Sequence, residues 1–269
     1  MNKLKMFDVA YVWPYCALAA RYDEDSGDGD NEFSDFIDDL VEKWLPGSTV
    51  HKYFEKEKID FTYAIEHGGK LLICFLGTEG AFSGPGWKSD FSPQIESPEY
   101  RELGGHVDFI RAGIDAAYYF YDLVREYGGN YMVAGHSRGG PRCMSAAREW
   151  YRLTSTLPGR IVPFCSPPVF NAAAATEYDN CGLGSVTIRP TMSYDPVDLL
   201  GWPILRHVGT ELKLPRIKTK AIRRRGLLGK IVFGHAYSSV FECLKRYCQN
   251  RAMTREIKWL KDTEWVAEI

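Results

Sequence analysis

The segment "GHSRG", residues 135–139, contains the serine whose surroundings most clearly suggest a reactive side chain. It follows a short apolar run over 131–134 and precedes a helical pattern over 139–153. In the order strand, Gly-x-Ser-x-Gly, helix, the serine lies on a sharp turn that exposes its hydroxyl as a nucleophile. Backbone N–H groups at the start of the helix then point at developing negative charge. The alternative is an ordinary glycine-rich turn, so the partners of Ser137 decide between the two.

A serine nucleophile needs a base, and the base needs an acid that orients it. In this arrangement the chain order is Ser, then Asp or Glu, then His. His235 follows an apolar strand-like run and a glycine, a good position for a base, whereas His207 has no such setting. Asp195 directly follows a strand pattern, and Asp198 is the second candidate for the acid. A surface histidine and a turn-initiating Asp-Pro are the alternatives for His235 and Asp195.

When a serine attacks a carbonyl group, negative charge develops on the carbonyl oxygen. Its stabilisation usually needs a second hydrogen-bond donor, from the loop after an earlier strand. Gly77-Thr78 directly follows the apolar run 71–76, and the backbone N–H and hydroxyl of Thr78 can both donate. The backbone N–H of Arg138 supplies the first donor, whatever its side chain does. A plain strand-ending Gly-Thr is the alternative.

The elements around these residues alternate between strands and helices, which predicts an α/β fold with a largely parallel sheet flanked by helices. The periodicity of apolar residues and the turn residues predict helices over 4–20, 35–45, 107–127, 139–153 and 236–249. Predicted strands surround a turn at 67–69 and lie in 131–134, "RIVPFCSP" and "SVTIRPTMSY". Residues 79–105 read as a long loop, and no linker divides the chain, so we expect one domain over 1–269.

Composition and charge exclude several classes of function. The chain has 269 residues, a formal net charge of −2 and 45% hydrophobic residues, which suffices for one sizeable core and gives no overall attraction to nucleic acid. Residues 213–230 carry eight basic and no acidic side chains. A solvated basic loop is the simpler interpretation, and contact with an anionic membrane is the alternative. If Asp28 in the acidic stretch 23–32 is taken as the first position of an EF-hand, Phe33 falls where glycine is required, so we interpret the stretch as a solvated loop.

The cysteines and the N-terminal segment bear on location. Seven scattered cysteines without a Cys-x-x-Cys pair favour a reducing compartment. The first 20 residues imitate a signal peptide, but Asp8 and Pro14 interrupt the apolar region and a helical spacing favours a packed first helix, so we expect N-terminal helices within 1–50. We therefore expect a cytoplasmic protein, or one delivered without a clear signal peptide.

Four stretches together resemble the class 3 lipase family, serine esterases of the α/β-hydrolase fold. They are "CFLGTEGAFSGPGWKSDF", "GGHVDFIRAG", "YMVAGHSRGGPRCMSAA", and "PFCSPPVFN" with "SVTIRPTMSYDPVDLLGWP", in the family's order over about residues 60–240. The resemblance implies Ser137 as nucleophile, Asp195 as acid and His235 as base. It also implies Thr78 and the backbone N–H of Arg138 as oxyanion donors, with no metal or cofactor.

The same resemblance assigns the loop 79–105 to the lid, with Phe82, Trp87 and His136 as residues of the lid or substrate pocket. The chain departs from the family pattern at Arg138, where the family usually has leucine, and at Leu76, where it often has arginine. We expect the Arg138 guanidinium to reach solvent, the alternative being a nearby carboxylate or anionic substrate group. Few large apolar residues occupy the lid region, which favours an esterase or polar-lipid hydrolase over a strict triglyceride lipase.

The resemblance implies cleavage of carboxylic esters of acyl lipids or small esters through an acyl-enzyme. Two alternatives stay open at this point. One is a phospholipase-type effector that attacks membranes, and the other is a catalytically silent α/β-hydrolase used as a binding module. The Ser, Asp, His order argues against the silent module.

Overall fold

The computed structural model describes residues 37–38, 41–42, 47–56, 60–77, 94–192, 195–201 and 203–214. The predicted N-terminal helix, the acidic stretch 23–32, most of the loop 79–105 and the predicted helix 236–249 lie outside the described residues. Of the basic segment 213–230, only residues 213 and 214 are described.

Three antiparallel strands begin the described sheet: β1 (Ser48–Lys56), β2 (Asp60–His67) and β3 (Lys70–Phe75). The turn between β2 and β3 consists of Gly68 and Gly69, both at positive φ, a conformation that glycine adopts without a steric penalty. The predicted turn at 67–69 is therefore confirmed. Strand β1 was not predicted, because its sequence STVHKYFEK has no period of two, and its register with β2 shifts between Val50 and Lys52.

The sheet becomes parallel after β3. Strands β4 (Tyr131–His136) and β5 (Arg160–Phe164) follow in the order β1-β2-β3-β4-β5, and both new pairings are parallel. A parallel bridge between Ile161 and Thr187 brings β6 (Ile188–Thr191) beside β5, and β6 pairs in parallel with β7 (Thr210–Lys213). Because β3 and β4 are parallel neighbours, their carboxyl ends meet at one edge of the sheet.

Helices connect the parallel strands, with the bounds α1 (Pro98–Leu103), α2 (Val107–Tyr119), α3 (Tyr121–Tyr127), α4 (Gly139–Thr154), α5 (Ala172–Asn180) and α6 (Leu183–Val186). A 3₁₀ turn spans Pro196–Leu199. The prediction of a loop through residue 105 was wrong at its end. Ser97 caps α1 by accepting a hydrogen bond from the Tyr100 N–H at 3.0 Å, and Gly104 closes the helix in the left-handed conformation.

The predicted single helix 107–127 is two helices. The break falls at Phe120, whose ring is fully buried in the core, so the turn allows Phe120 and Val124 to point into the same apolar cluster. Among the described helices, none is both long and apolar enough to cross a bilayer.

Helices α2 and α4 pack against each other on the sheet. Their close approach depends on Gly113, since a Cβ there would lie closer than 3.0 Å to the Ser145 side chain and the Arg142 carbonyl. Trp150 of α4 is fully buried, contacts Tyr131 edge-to-face and donates its indole N–H to the Ala117 carbonyl at 2.8 Å. This packing fixes the position of α4, the helix that begins directly after Ser137.

Candidate active site

Ser137 lies on a strained turn between β4 and α4. Its φ is 53°, in the left-handed region that serine rarely adopts, and its N–H donates to the Phe164 carbonyl of β5 at 2.9 Å. A left-handed residue other than glycine costs of order 1–3 kcal/mol and persists only where its surroundings enforce it. Strain at a single serine directly after a buried strand is typical of a nucleophile elbow.

The glycines around the serine are required by close backbone contacts. A Cβ at Gly135 would lie closer than 3.0 Å to the carbonyl of Gly139, and a Cβ at Gly139 would lie that close to the carbonyls of Phe75 and Leu76. Only glycine therefore allows the start of α4 to pack directly on the end of β3. The sequence-based explanation of the Gly-x-Ser-x-Gly spacing is confirmed at both glycines.

The N-terminus of α4 faces the carboxyl edge of the sheet. The helix begins at Gly139, and the Gly140 N–H donates to the Ser137 carbonyl at 2.9 Å. Pro141 fits within the first turn, because N–H groups there have no partner within the helix and proline therefore removes no hydrogen bond. A helix N-terminus carries a partial positive charge, which favours an anion beside it. The local geometry therefore suits a negative charge that develops beside Ser137.

The side chain of Arg138 does not reach solvent. Only 7% of the residue is exposed, and the guanidinium carbon lies 5.9 Å from the centre of the Phe109 ring. The expectation of a solvent-exposed guanidinium was therefore wrong. The reason is that α2, directly beside α4, places an aromatic ring where the side chain of Arg138 leaves the turn.

Two buried histidines lie close to this turn in the chain or in space. His136 precedes the serine at the end of β4 and is 3% exposed, so it belongs to the interior rather than to an open lid. His106 is 2% exposed, stacks on Phe109 with ring centroids 4.1 Å apart, and donates its backbone N–H to the Val169 carbonyl at 2.9 Å. Phe109 thus lies close to both the His106 ring and the Arg138 guanidinium.

Asp195 is buried and is held by the 3₁₀ turn that follows it. It is 6% exposed, and its Oδ1 accepts a hydrogen bond from the Val197 N–H at 3.0 Å. This contact makes Asp195 the N-cap of the turn and fixes the direction of its carboxylate. A fixed, buried carboxylate is the kind of group that can orient a histidine base.

Asp198, the second candidate for the acid, is bound by other groups. The guanidinium of Arg189 in β6 donates to Asp198 Oδ1 at 2.7 Å, and His207 Nε2 lies 3.3 Å from the same oxygen. His207 Nε2 also donates to the Asp198 carbonyl at 2.7 Å. Asp198 is thus bound by Arg189 and His207, whereas Asp195 caps the 3₁₀ turn, and Asp195 as the acid stays a prediction.

His207 is held in its neutral form. Burial lowers the pKa of its imidazole below the usual value of 6.5, and the nearby positive charge of Arg189 lowers this pKa further. The hydrogen bond to the Asp198 carbonyl places the single proton on Nε2. His207 thus joins the segment before β7 to the 3₁₀ turn.

The carboxyl end of β3 lies beside the elbow. Leu76 and Gly77 are buried, and Leu76 takes part in the sheet by donating its N–H to the Phe61 carbonyl at 3.1 Å. Thr78, the predicted oxyanion donor, lies outside the described residues, as do the predicted base His235 and the predicted pocket residues Phe82 and Trp87. The structure therefore brings together Ser137, the Arg138 backbone and the end of β3.

Sequence reasoning missed Arg142, which is fully buried beside the end of β3. A signal was present, because Arg142, Ala146 and Trp150 recur every four residues and so occupy one face of α4. A charged side chain on an otherwise apolar helix face is a candidate for a specific role. Within the described ranges, no group of histidine, cysteine and acidic side chains is arranged to hold a metal ion.

The fold is shared with solved lipase structures. The chain aligns with the lipase from Rhizopus microsporus var. chinensis at 17% identity and a TM-score of 0.58, covering 81% of this chain and 77% of that one. It aligns with lipase II from Rhizopus niveus at 17% identity and a TM-score of 0.57, covering 87% and 94%. A triacylglycerol lipase with a serine protease triad aligns at 17% identity and a TM-score of 0.60, covering 80% and 82%. No family model and no curated protein sequence matches the chain.

Proposed function

The chain has a class 3 lipase-like α/β-hydrolase fold, and from this premise we propose that it is a serine ester hydrolase that acts through an acyl-enzyme. The observation that carries the proposal is Ser137 itself. Its φ is left-handed, a costly conformation for serine, and it lies between two glycines that close backbone contacts require. Such strain is expected where a hydroxyl must be presented to a substrate.

In the proposed mechanism Ser137 Oγ attacks the carbonyl carbon of an ester while His235 takes the hydroxyl proton. Asp195 orients the imidazole and stabilises its positive charge. The developing oxyanion receives hydrogen bonds from the backbone N–H of Arg138 and from Thr78. His235 then protonates the leaving alcohol, and an acyl group remains on Ser137.

The second half of the reaction regenerates the enzyme. Water gives a proton to His235 and attacks the acyl carbonyl, and the same donors stabilise the second oxyanion. The acid product leaves as the proton returns to Ser137. Each step uses only side chains and backbone groups of the chain, together with the ester and water.

The substrate class that we propose is a carboxylic ester of an acyl lipid or a smaller ester. The solved lipases that share the fold include a triacylglycerol lipase, which supports this class at the level of fold. Product analysis by mass spectrometry after incubation with mixed lipids would identify the acyl chain and the head group.

Ser137→Ala is expected to abolish hydrolysis of short p-nitrophenyl esters and to leave the melting temperature close to that of the wild type. Loss of the nucleophile should lower kcat by several orders of magnitude, as about 10⁶-fold losses in comparable triads indicate. The matched control is Ser145→Ala, since Ser145 is a buried serine of α4 whose hydroxyl donates to the Pro141 carbonyl at 2.8 Å. Activity in Ser137→Ala equal to that of the control would refute the mechanism.

A fluorophosphonate probe separates this proposal from a silent binding module. Only an activated serine reacts rapidly with such a probe. The wild type should therefore label at Ser137, and Ser137→Ala should not. A wild-type protein that neither labels nor hydrolyses esters would favour the silent module.

A further inference from the structure

The chain makes a second left-handed turn beside the elbow, directly after β5. Cys165 has a φ of 47° there, close to the 53° of Ser137 directly after β4. Cysteine, like serine, adopts this conformation at a cost and keeps it only where its surroundings enforce it. Cys165 is also fully buried. Two neighbouring parallel strands of the sheet thus end in the same strained conformation.

One peptide group between these two turns joins three strands. The Phe164 carbonyl accepts the Ser137 N–H at 2.9 Å, and the Cys165 N–H donates to the Pro190 carbonyl of β6 at 2.9 Å. The Phe164 carbonyl and the Cys165 N–H belong to the same planar unit, so one of them cannot rotate without the other. The peptide group that holds the Ser137 N–H is therefore fixed at both of its edges, and the φ of Cys165 sets the direction in which the chain leaves it.

The direction set at Cys165 brings Ser166 against the first turn of α4. A Cβ at Gly140 would lie 2.4 Å from the Ser166 Cβ and 2.5 Å from its Oγ, so Ser166 fits there only because residue 140 is glycine. Ser166 is fully buried, and its hydroxyl donates to the Pro167 carbonyl at 2.9 Å. With an extended conformation at Cys165, the chain would leave β5 in another direction and lose the contact with Gly140.

The start of α4 is thereby held on two sides. Gly139 packs against the carbonyls at the end of β3, and Gly140, the next residue, packs against Ser166 after β5. The strained φ of Ser137 persists only while contacts of this kind enforce it. The contact on the β5 side follows from the backbone conformation of Cys165, whatever its thiol does.

We propose that Cys165 is a positioning residue for the turn that carries Ser137. Its left-handed conformation places Ser166 against Gly140, and the peptide group before it keeps the Phe164 carbonyl on the Ser137 N–H. This inference rests on the proposed function and deepens it. Because Cys165 acts through its backbone, glycine at this position preserves the role, whereas a β-branched side chain, which avoids a positive φ, removes it.

The test compares two variants of Cys165 with Ser155→Val, all in the full chain. Ser155 has a similar φ of 56° but caps the other end of α4, so valine there creates the same backbone conflict far along the helix from Ser137. We expect Cys165→Val to slow fluorophosphonate labelling of Ser137 and to lower kcat for short esters, each by about ten- to a hundredfold, as misplaced reacting groups do.

The other two variants separate this role from a general loss of stability. Cys165→Gly should label and hydrolyse within about twofold of the wild type, with a melting temperature no lower, since glycine adopts the turn without steric cost. Ser155→Val should lower the melting temperature without slowing the labelling of the folded protein. A merely structural role of Cys165 would give Cys165→Val the same behaviour as Ser155→Val.

A second pair of variants tests the contact between Ser166 and Gly140, and carries the test where Cys165→Val does not fold. Gly140→Ala forces a Cβ against Ser166 and should slow the labelling of Ser137. Adding Ser166→Gly removes the two closest atoms and moves the Cβ from one side of the contact to the other. The double variant should therefore label faster than Gly140→Ala alone, and equal rates would contradict the inference.

Two further results would overturn the inference and are distinguishable. Wild-type labelling and kcat in a folded Cys165→Val would refute the role of Cys165 and leave the ester hydrolase intact. A wild-type protein that neither labels nor hydrolyses esters would refute the proposed function, and the inference with it.

Discussion

At the scale of the residue, burial rather than spacing determines what the charged side chains near the elbow do. Arg138 and Arg142 are four residues apart and both buried, yet their surroundings differ. Arg138 lies over Phe109 of α2, whereas Arg142 reaches two oxygen atoms of the sheet. The Arg138 side chain thus lies against α2, whereas the Arg142 side chain joins α4 to β2 and to the end of β3.

Arg138→Leu is expected to retain ester hydrolysis with an unchanged ranking of substrates. The backbone N–H at this position remains and leucine can pack on Phe109, while loss of the cation–π contact with that ring costs about 0.5–2 kcal/mol of stability. Hydrolysis rates across p-nitrophenyl esters of different chain length, with and without an anionic head group, provide the measurement. A loss of activity that is confined to anionic substrates would instead assign the guanidinium to substrate binding.

At the scale of the element, the junction between β4 and α4 is built by excluding side chains. Gly135 and Gly139 each lie against backbone carbonyls, so the strand, the turn and the helix can be packed only with hydrogen atoms at these positions. The 3₁₀ turn after Asp195 is instead stabilised by a side chain. The Asp195 carboxylate caps the turn, and this hydrogen bond fixes the direction of the carboxylate. Each junction carries a residue that the sequence predicts to be catalytic, Ser137 at the first and Asp195 at the second.

Gly139→Ala is expected to destabilise the protein and to reduce ester hydrolysis together. The added methyl group must displace the carbonyls of Phe75 and Leu76, and overpacking of this kind costs typically 1–3 kcal/mol. The control is Gly159→Ala, where the nearest atom, the Tyr131 carbonyl oxygen, lies 3.3 Å from the added Cβ. Thermal unfolding and kcat should both change more in Gly139→Ala; equal effects would argue against the close approach of α4 and β3.

The elements that the sequence predicted are those with a strong local signal. The apolar runs of β3 and β4 and the two-glycine turn before β3 specify their own conformations. The break at Phe120 and the burial of Arg138 depend on which neighbour fills the adjacent space, and no local pattern contains that information. Strand β7 and helix α5 were missed for the same reason, because their stability comes from partners distant in the chain.

At the scale of the whole molecule, a network of charges joins the second half of the sheet to the turn of the predicted acid. Arg189 of β6 binds Asp198 in the 3₁₀ turn, and His207 binds the same residue from the segment before β7. Thr191 of β6 also donates to Glu211 of β7 at 3.0 Å. The position of Asp195 thus depends on groups whose protonation affects the stability of the fold.

His207→Gln is expected to reduce the loss of stability on acidification. The pKa of His207 is lower in the folded protein than the usual 6.5, so the unfolded chain binds the extra proton first and stability falls as the pH drops below about 6.5. Glutamine keeps a donor near Nε2 and removes the titration. Melting temperatures between pH 7.5 and 5.5 should therefore fall less for His207→Gln than for the wild type, and parallel curves would contradict the assignment.

The left-handed turn at Ser137 makes this predicted nucleophile a reporter of cooperative folding. Serine adopts this conformation at a cost, so the geometry exists only while β4, β5 and the start of α4 are docked together. Any partly folded state that releases α4 relaxes the turn and disperses the reactive groups. Reaction of this single hydroxyl would then count native molecules in a mixed population, without a spectroscopic signal and without separating the folded from the unfolded chains.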